Sequence, residues 1–286
     1  MSGLDRIKSY LKQVKRREVD GEQPLASEFE DSLRDLKRRL VADKDQEGAK
    51  TIWCYEQILR IQNKYVAAFQ KLKSGDFYEA WCLLEQVEIG LHFLQRHIAT
   101  SEDSYELPFI EKHVTQFQAL FPYKHFISPG MLILETECSI CLKPRSIRKP
   151  CGHILGEIYD GEMCARHVKN VKLLEVSLVT NPLQKYSVLF STDPTTGEKV
   201  DHYDYSLVRY VTTGLREPFD GWDMEWTKAR HPHSRYRHVG RNEECPCESG
   251  NKYKKCCLTE SGVLRPHLEI RFSVAPPATL APLIYT

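Results

Sequence analysis

Gly240-Arg241-Asn242-Glu243-Glu244-Cys245-Pro246-Cys247-Glu248-Ser249-Gly250-Asn251-Lys252-Tyr253-Lys254-Lys255-Cys256-Cys257 is the stretch around which the chain is organised. Its four cysteines fall as a C-x-C pair, a spacer of eight residues and a C-C pair. Zinc takes four ligands in a tetrahedron, and thiolate is a common choice in closed structural sites. The Ser249-Gly250-Asn251-Lys252-Tyr253 spacer supplies a turn that returns the second pair to the first. Adjacent cysteines point different ways, so Cys256 and Cys257 can share one ion only if the chain bends sharply between them.

Together with the glycine, arginine, asparagine and lysine residues that flank them, these cysteines resemble the SEC-C motif, a small zinc module named for the C-terminal tail of the bacterial preprotein-translocase motor. The resemblance implies a zinc ion on Cys245, Cys247, Cys256 and Cys257. It also implies docking on protein partners such as an export chaperone, or on ribosomes. Glu248 departs from the pattern, which has glycine there. A positive φ at that position is strained for any residue with a side chain.

A second cysteine cluster lies upstream. Cys138-Ser-Ile-Cys141 reads as a zinc knuckle, followed by Cys151-Gly152-His153, then Cys164 and His167. A C-x2-C pair with a C-x-H pair about ten residues on is a zinc-ribbon pattern. Cys138 and Cys141 are the anchors. The remaining two ligands come from Cys151, His153 and Cys164, with His167 the outsider. Glu157, Tyr159 and Glu162 alternate beside the cluster, placed to hydrogen-bond a ligating imidazole or to cap a turn. Cysteine-rich ligation with ligands to spare favours a closed, structural ion over a catalytic one. The run Cys-Ser-Ile-Cys, Cys-Gly-His, Gly-Glu-Ile-Tyr-Asp-Gly-Glu-Met-Cys resembles a group of bacterial SEC-C-containing zinc-chelation proteins. In that group a helical N-terminal part, a ribbon and a SEC-C tail occur together, without a settled activity.

Composition narrows the class. The 286 residues balance 40 Lys+Arg against 39 Asp+Glu, a net charge of +1. No global field therefore selects nucleic acid or membrane. No apolar run is long enough to span a bilayer and no secretory signal is visible. Ten cysteines, mostly gathered in the two clusters, then read as metal ligands in a reducing cytoplasm rather than as disulfides.

The first 128 residues read as helices. Leu4, Ile7, Leu11 and Val14 recur at helical spacing among basic residues, which fits a packed helix with a solvated cationic face. Ser27 and Glu30 suggest a capping box ahead of Phe29, Leu33, Leu36 and Leu40. Ala49 to Leu72 and Phe77 to Ile98 read as long helices joined at Ser74-Gly75-Asp76, an antiparallel hairpin. Residues 108 to 121 supply another. Glu88, His92, Arg96 and His97 read as satisfied surface residues rather than a ribonuclease site, and Cys54 and Cys82 as inert thiols beside apolar stripes.

Beyond Ser128-Pro129-Gly130 the pattern changes. Met131 to Leu134, Val171 to Thr180 and Lys185 to Phe190 read as strands, and Asp201 to Thr212 as strand or helix. Trp222 and Trp226 are four apart, as one helix face would place them, which favours packing over base stacking. Lys228, Arg230, Arg235, Arg237 and Arg241, with Lys252, Lys254 and Lys255, make a cationic neighbourhood that would suit phosphate or an acidic partner. Tyr236 and Tyr253 are candidates to stack on bases. Leu268 to Val274 reads as a strand, and the apolar ending from Leu280 to Tyr285 as a docking tail.

The expected architecture is α+β. It comprises a helical domain over 1–128, a zinc ribbon with a small β region over 129–236, a SEC-C module over 237–262, and a strand and tail over 263–286. The expected function is that of a zinc-binding adaptor that docks on a protein partner: a chaperone, a ribosome, or an export or defence component. The alternatives are RNA, DNA or ribosome binding through 228–255, and a nuclease-type hydrolase, for which no nucleophile–base set stands out.

Overall fold

The computed structural model describes residues 3–15, 25–98 and 105–280. It divides into two compact units, one of residues 1–219 with 276–286 and the other of residues 220–275. The second unit thus begins at Asp220 rather than at 237, because the strand that opens it pairs with the strand that follows the cysteines.

The first unit starts with helices α1 (Gly3–Lys12), α2 (Leu25–Ala42), α3 (Gln46–Ser74), α4 (Phe77–Leu94) and α5 (Leu107–Leu120). Ile7, Leu11 and Val14 of the first segment are buried, so its apolar stripe packs, while Arg6 and Lys12 are exposed, Lys8 lies over the Tyr55 ring and Lys15 pairs with Glu106 at 2.8 Å. Because α2 begins at Leu25, Ser27 falls inside the first turn and is not its N-cap. The long α3 is capped by the Asp45 side chain, which accepts from Gly48 N at 2.9 Å. It ends at Gly75, whose φ of 86° lets the chain reverse into α4. Ile52, Ile58, Leu59 and Phe69 of α3 and Ala80, Leu84 and Leu91 of α4 form the buried seam of this hairpin. Cys54 is buried with them, and desolvation pushes its thiol up to about 11. His97 donates from Nε2 to Gly156 O at 2.9 Å and meets Trp53 edge-on, a packed histidine.

Beyond α5 the chain extends into β1 (Phe126–Cys138), which pairs antiparallel with β4 (Arg166–Val179). The short strand expected at Met131 to Leu134 is the middle of a much longer ribbon. Between these two strands, β2 (Ile158–Tyr159) and β3 (Glu162–Met163) close on Asp160 and Gly161, both at positive φ, as a two-residue hairpin turn requires.

The segment from Lys185 to Phe190 is only briefly strand-like: Val188 makes one antiparallel bridge to Phe126, with Ile127 N donating to Ser187 O at 2.8 Å and Leu189 N to His125 O at 3.2 Å. Its start is bound by α4: Lys185 N donates to Glu85, Trp81 Nε1 donates to Lys185 O at 2.6 Å, and Tyr78 OH donates to Tyr186 O at 2.8 Å. A small hairpin of β5 (Ser191–Thr192) and β6 (Lys199–Val200) follows. Asp201 to Thr212 resolves into a turn and helix α6 (Ser206–Gly214). Val208 and Val211 are buried at helical spacing, and Asp204 accepts from Ser206 N at 2.9 Å.

The second unit is a ribbon of β7 (Trp222–His231) and β8 (Val263–Phe272), paired from Trp222–Phe272 to His231–Val263, with the cysteine module between them. The helix face expected for the two tryptophans is therefore a strand face. Positions four apart also share a side at period two. Trp222 is buried, but Trp226 is 63% exposed and not packed as expected. Residues 281–286, which hold most of the apolar ending, lie outside the described residues, as do Arg16, Arg17, Gly21 and Pro24.

Candidate metal centres

In the second unit the cysteine module is wound by short-range backbone bonds. Gly240 N donates to the Glu243 carboxylate at 3.0 Å, Lys254 N to Arg241 O at 2.9 Å, and Tyr253 N to Glu243 O at 2.8 Å. Cys245 N donates to Asn251 O at 2.7 Å across the turn that carries Gly250 at φ 74°. Two single turns of 3₁₀ helix, Tyr253–Lys255 and Cys257–Thr259, meet at Cys256, whose φ and ψ of −135° and −115° provide the sharp bend. That bend turns the two adjacent thiols to the same point. The ligand atoms of Cys245, Cys247, Cys256 and Cys257 all lie within 4.8 Å of one another.

Tyr253, Val263, Cys245 and Cys257 form the buried centre of this module, with Tyr236 and Val239 packed on it. Tyr253 is 3% exposed, so it is a core residue and not a base-stacking platform. Its hydroxyl lies 2.6 Å from His233 Nδ1, while His233 Nε2 lies 2.8 Å from Glu260 O. A carbonyl only accepts, so Nε2 carries the proton and Nδ1 accepts from the tyrosine. Glu248 sits at φ 62°, the left-handed conformation expected from its place in the pattern. Its carboxylate pairs with Arg265 Nη1 at 2.5 Å, and the same nitrogen donates to Pro246 O.

The upstream cluster is built where the β1–β4 ribbon ends. Leu142 N donates to Cys138 O at 2.9 Å with Leu142 at φ 56°, which closes the knuckle. Ser139 N donates to Ala165 O and Ser139 Oγ accepts from Ala165 N, tying the knuckle to the β3–β4 connection. Gly152 takes φ 86° between Cys151 and His153. Ligand atoms of Cys138, Cys141, Cys151 and His153 come within 4.8 Å of one another.

Cys164 is outside that set of four, yet it is buried with its Sγ 3.7 Å from Cys138 Sγ. His167 faces Glu137 at 3.7 Å out along the ribbon. Tyr159 meets the His153 ring edge-on at 4.6 Å, and its hydroxyl accepts from Ile154 N at 3.0 Å. Glu162 turns away to Lys37, which also holds Glu56 at 2.7 Å. With the Gln46–Asp160 and His97–Gly156 bonds, this fastens the cysteine loop to α2, α3 and the end of α4.

The donor chemistry fits a thiophilic divalent ion at both places. Burial opposes ionisation of Cys138, but the N–H groups of Cys141 and Ile140 and the thiols of Cys164 and Cys141 outweigh it, pulling Cys138 down to about 6. Ser249 leads the groups that bring Cys247 down to about 6, against the opposing effect of burial. Desolvation, aided by hydrogen bonds from neighbouring thiols, drives Cys257 up to about 12. Cys138 and Cys247 are thus held toward the thiolate, whereas Cys141 and Cys164 beside the first and Cys245 and Cys257 beside the second are raised and resist adding a further negative charge. A divalent cation relieves that repulsion.

Of the basic residues, Arg230 pairs with Glu260 at 3.1 Å and donates to Gly262 O, and Arg235 bonds His231 Nδ1 at 3.0 Å. Lys228, Arg237, Arg241, Lys252 and Lys255 are exposed, Lys254 is half-buried, and none of the six is in an ion pair among the described residues. Trp226, expected to pack, instead shares an exposed strand face with Lys228 and Arg230, a grouping that the helical reading of the two tryptophans did not give.

Comparison with known proteins returns the cysteine module alone. The SEC-C motif family matches residues 241–259. The chain is 59% identical over 29 residues to a protein translocase subunit SecA of Thermodesulfovibrio yellowstonii, a match covering 10% of this chain and 3% of the relative. It is 62% identical over 26 residues to the SecA subunit of Carboxydothermus hydrogenoformans, covering 9% and 3%. It is 79% identical over 19 residues to a UPF0225 protein of Pectobacterium carotovorum subsp. carotovorum, covering 7% and 12%. The chain thus spans only a small part of the length of each of these relatives, and no solved structure gives a significant match. Residues 241–259 are a SEC-C motif, set here between the two strands of a ribbon.

Proposed function

We propose that this chain is a zinc-binding adaptor that docks on a protein partner through its SEC-C module. Cys245, Cys247, Cys256 and Cys257 would hold one zinc, and Cys138, Cys141, Cys151 and His153 a second. Both ions would be structural, because each set offers four protein ligands, enough for a closed tetrahedral site without a position for a reacting water. The supporting observation is the convergence of four thiols in a module whose own buried centre is a few side chains, too little to fold without a metal. The SEC-C resemblance implies a chaperone, ribosome or export component as partner, in the cytoplasm.

A second reading, binding of RNA or DNA, is favoured by Trp226 beside Lys228 and Arg230 on one exposed face. One experiment separates the two. Full-length protein and a Cys256→Ser variant are used to capture partners from a bacterial extract, with and without nuclease. A protein that survives nuclease and is lost with Cys256→Ser supports the adaptor. Capture that disappears with nuclease, and weakens steeply between low and moderate salt, replaces it with the nucleic-acid reading.

A further inference from the structure

The β1–β4 ribbon carries a run of exposed apolar side chains that neither metal centre explains. Its register sets Ile127 opposite Leu178, Met131 opposite Leu173 and Ile133 opposite Val171. Alternation puts these three pairs on one face, while Ser128–Ser177, Gly130–Glu175 and Leu132–Lys172 lie on the other. The six apolar side chains are between 38% and 62% exposed. Among the described residues neither strand has another strand beside it, apart from a single bridge between Phe126 and Val188. A two-stranded ribbon with an apolar face in water is marginal on its own.

We propose that this face is covered by the same face of a second copy of the chain. Those exposures amount to on the order of 600 Å² of side-chain surface per chain, at the top of the ~300–600 Å² patch range of ordinary monomers. Across a two-fold axis it doubles to about 1,200 Å², the lower bound of a stable specific interface.

A two-fold axis lying between the stacked faces brings the apolar pairs of one copy onto those of the other, and the ribbon charges do not oppose it, since Lys172 and Glu175 lie on the far face and Lys169 pairs with Glu137 within the same chain. The pairing is isologous, so it closes at a dimer.

The test is sedimentation equilibrium of the zinc-loaded full chain over about 1–100 µM, beside a Met131→Lys, Leu173→Lys double variant. Both positions are exposed, so the variant should keep its circular dichroism and zinc content. The expected result is a concentration-dependent dimer whose dissociation constant rises by at least about 100-fold in the variant, since each lysine must be desolvated at the interface. A wild-type chain that stays monomeric throughout the range overturns the proposal and leaves the face to a different protein or to the chain's own tail. A dimer that persists in the folded variant overturns it equally, because another surface would then hold the copies together.

Discussion

Arg265 holds the Glu248 carboxylate at 2.5 Å while Glu248 itself sits at φ 62°, so one residue carries both a backbone cost and an ion pair that offsets it. Glycine at 248 would remove the cost, of about 1 kcal/mol for a side chain in the left-handed region, together with the pair. The pair is half in water and contributes ~0–1 kcal/mol. Glu248→Gly should therefore leave the unfolding midpoint of the zinc-loaded protein within a few degrees of wild type. Glu248→Ala keeps the strain and loses the pair, and should be the less stable of the two. Thermal denaturation of the three proteins tests this, and an alanine variant more stable than the glycine variant contradicts it.

Metal removal should act unevenly. Chelation at neutral pH should free about two zinc ions per chain and unfold the SEC-C module, because its thiols have no other source of convergence. The α3–α4 hairpin should survive, since its buried seam contains no cluster cysteine. Zinc titration with a chromogenic chelator, paired with limited proteolysis, reads both effects. A protein that retains an intact 240–259 segment without metal would refute the assignment.

Cys164 separates two ligand sets at the ribbon. If Cys138, Cys141, Cys151 and His153 bind the ion, Cys164→Ser keeps two zincs per chain, while Cys151→Ser falls to one. The reverse result would place Cys164 in the coordination sphere and Cys151 outside it. Metal analysis of the two purified variants decides between them.

The Tyr253–His233 bond is buried on the tyrosine side, so Tyr253→Phe leaves His233 Nδ1 without its donor. A loss of roughly 1 kcal/mol in the stability of the zinc-loaded unit is expected, as for other partly buried hydrogen bonds. If Tyr253→Phe instead reduced nucleic-acid capture with stability unchanged, the tyrosine would be a contact residue after all.

His231 predicts a pH response. Burial, then the charges of Arg235, His267 and Arg265, hold its imidazole below the ordinary 6.5. The native state thus takes up the proton less readily than the unfolded chain. Stability present above pH 6.5 is lost as pH falls from there through the lower folded value. His231→Gln should flatten part of the decline in stability between about pH 7.5 and pH 5.5, and the difference from wild type cancels the acid sensitivity of the thiolates. Parallel curves would show that His231 contributes none of it.

The sequence by itself determined the local features. A helical period of apolar residues fixed α3 and α4, because packing one stripe satisfies both the backbone and the side chains. Gly75 marked their turn because only a residue without Cβ adopts that φ freely. The cysteine spacings marked both clusters because tetrahedral coordination admits few loop lengths.

What only the tertiary structure decided depends on contacts distant in sequence. Spacing left the last two ligands open among Cys151, His153 and Cys164, and it is the fold of the loop between β1 and β4 that gathers Cys151 and His153 with Cys138 and Cys141. Lys185 to Phe190 alternates like a strand, yet only Val188 bridges to Phe126, while Trp81, Tyr78 and Glu85 bind the start of the segment from a helix a hundred residues earlier. Trp226 lies in water and Tyr253 in the core, the reverse of what their neighbours in sequence suggested, because strand pairing sets which face each residue takes. Local geometry can be read from adjacent residues, whereas burial and convergence belong to partners that only the folded chain brings together.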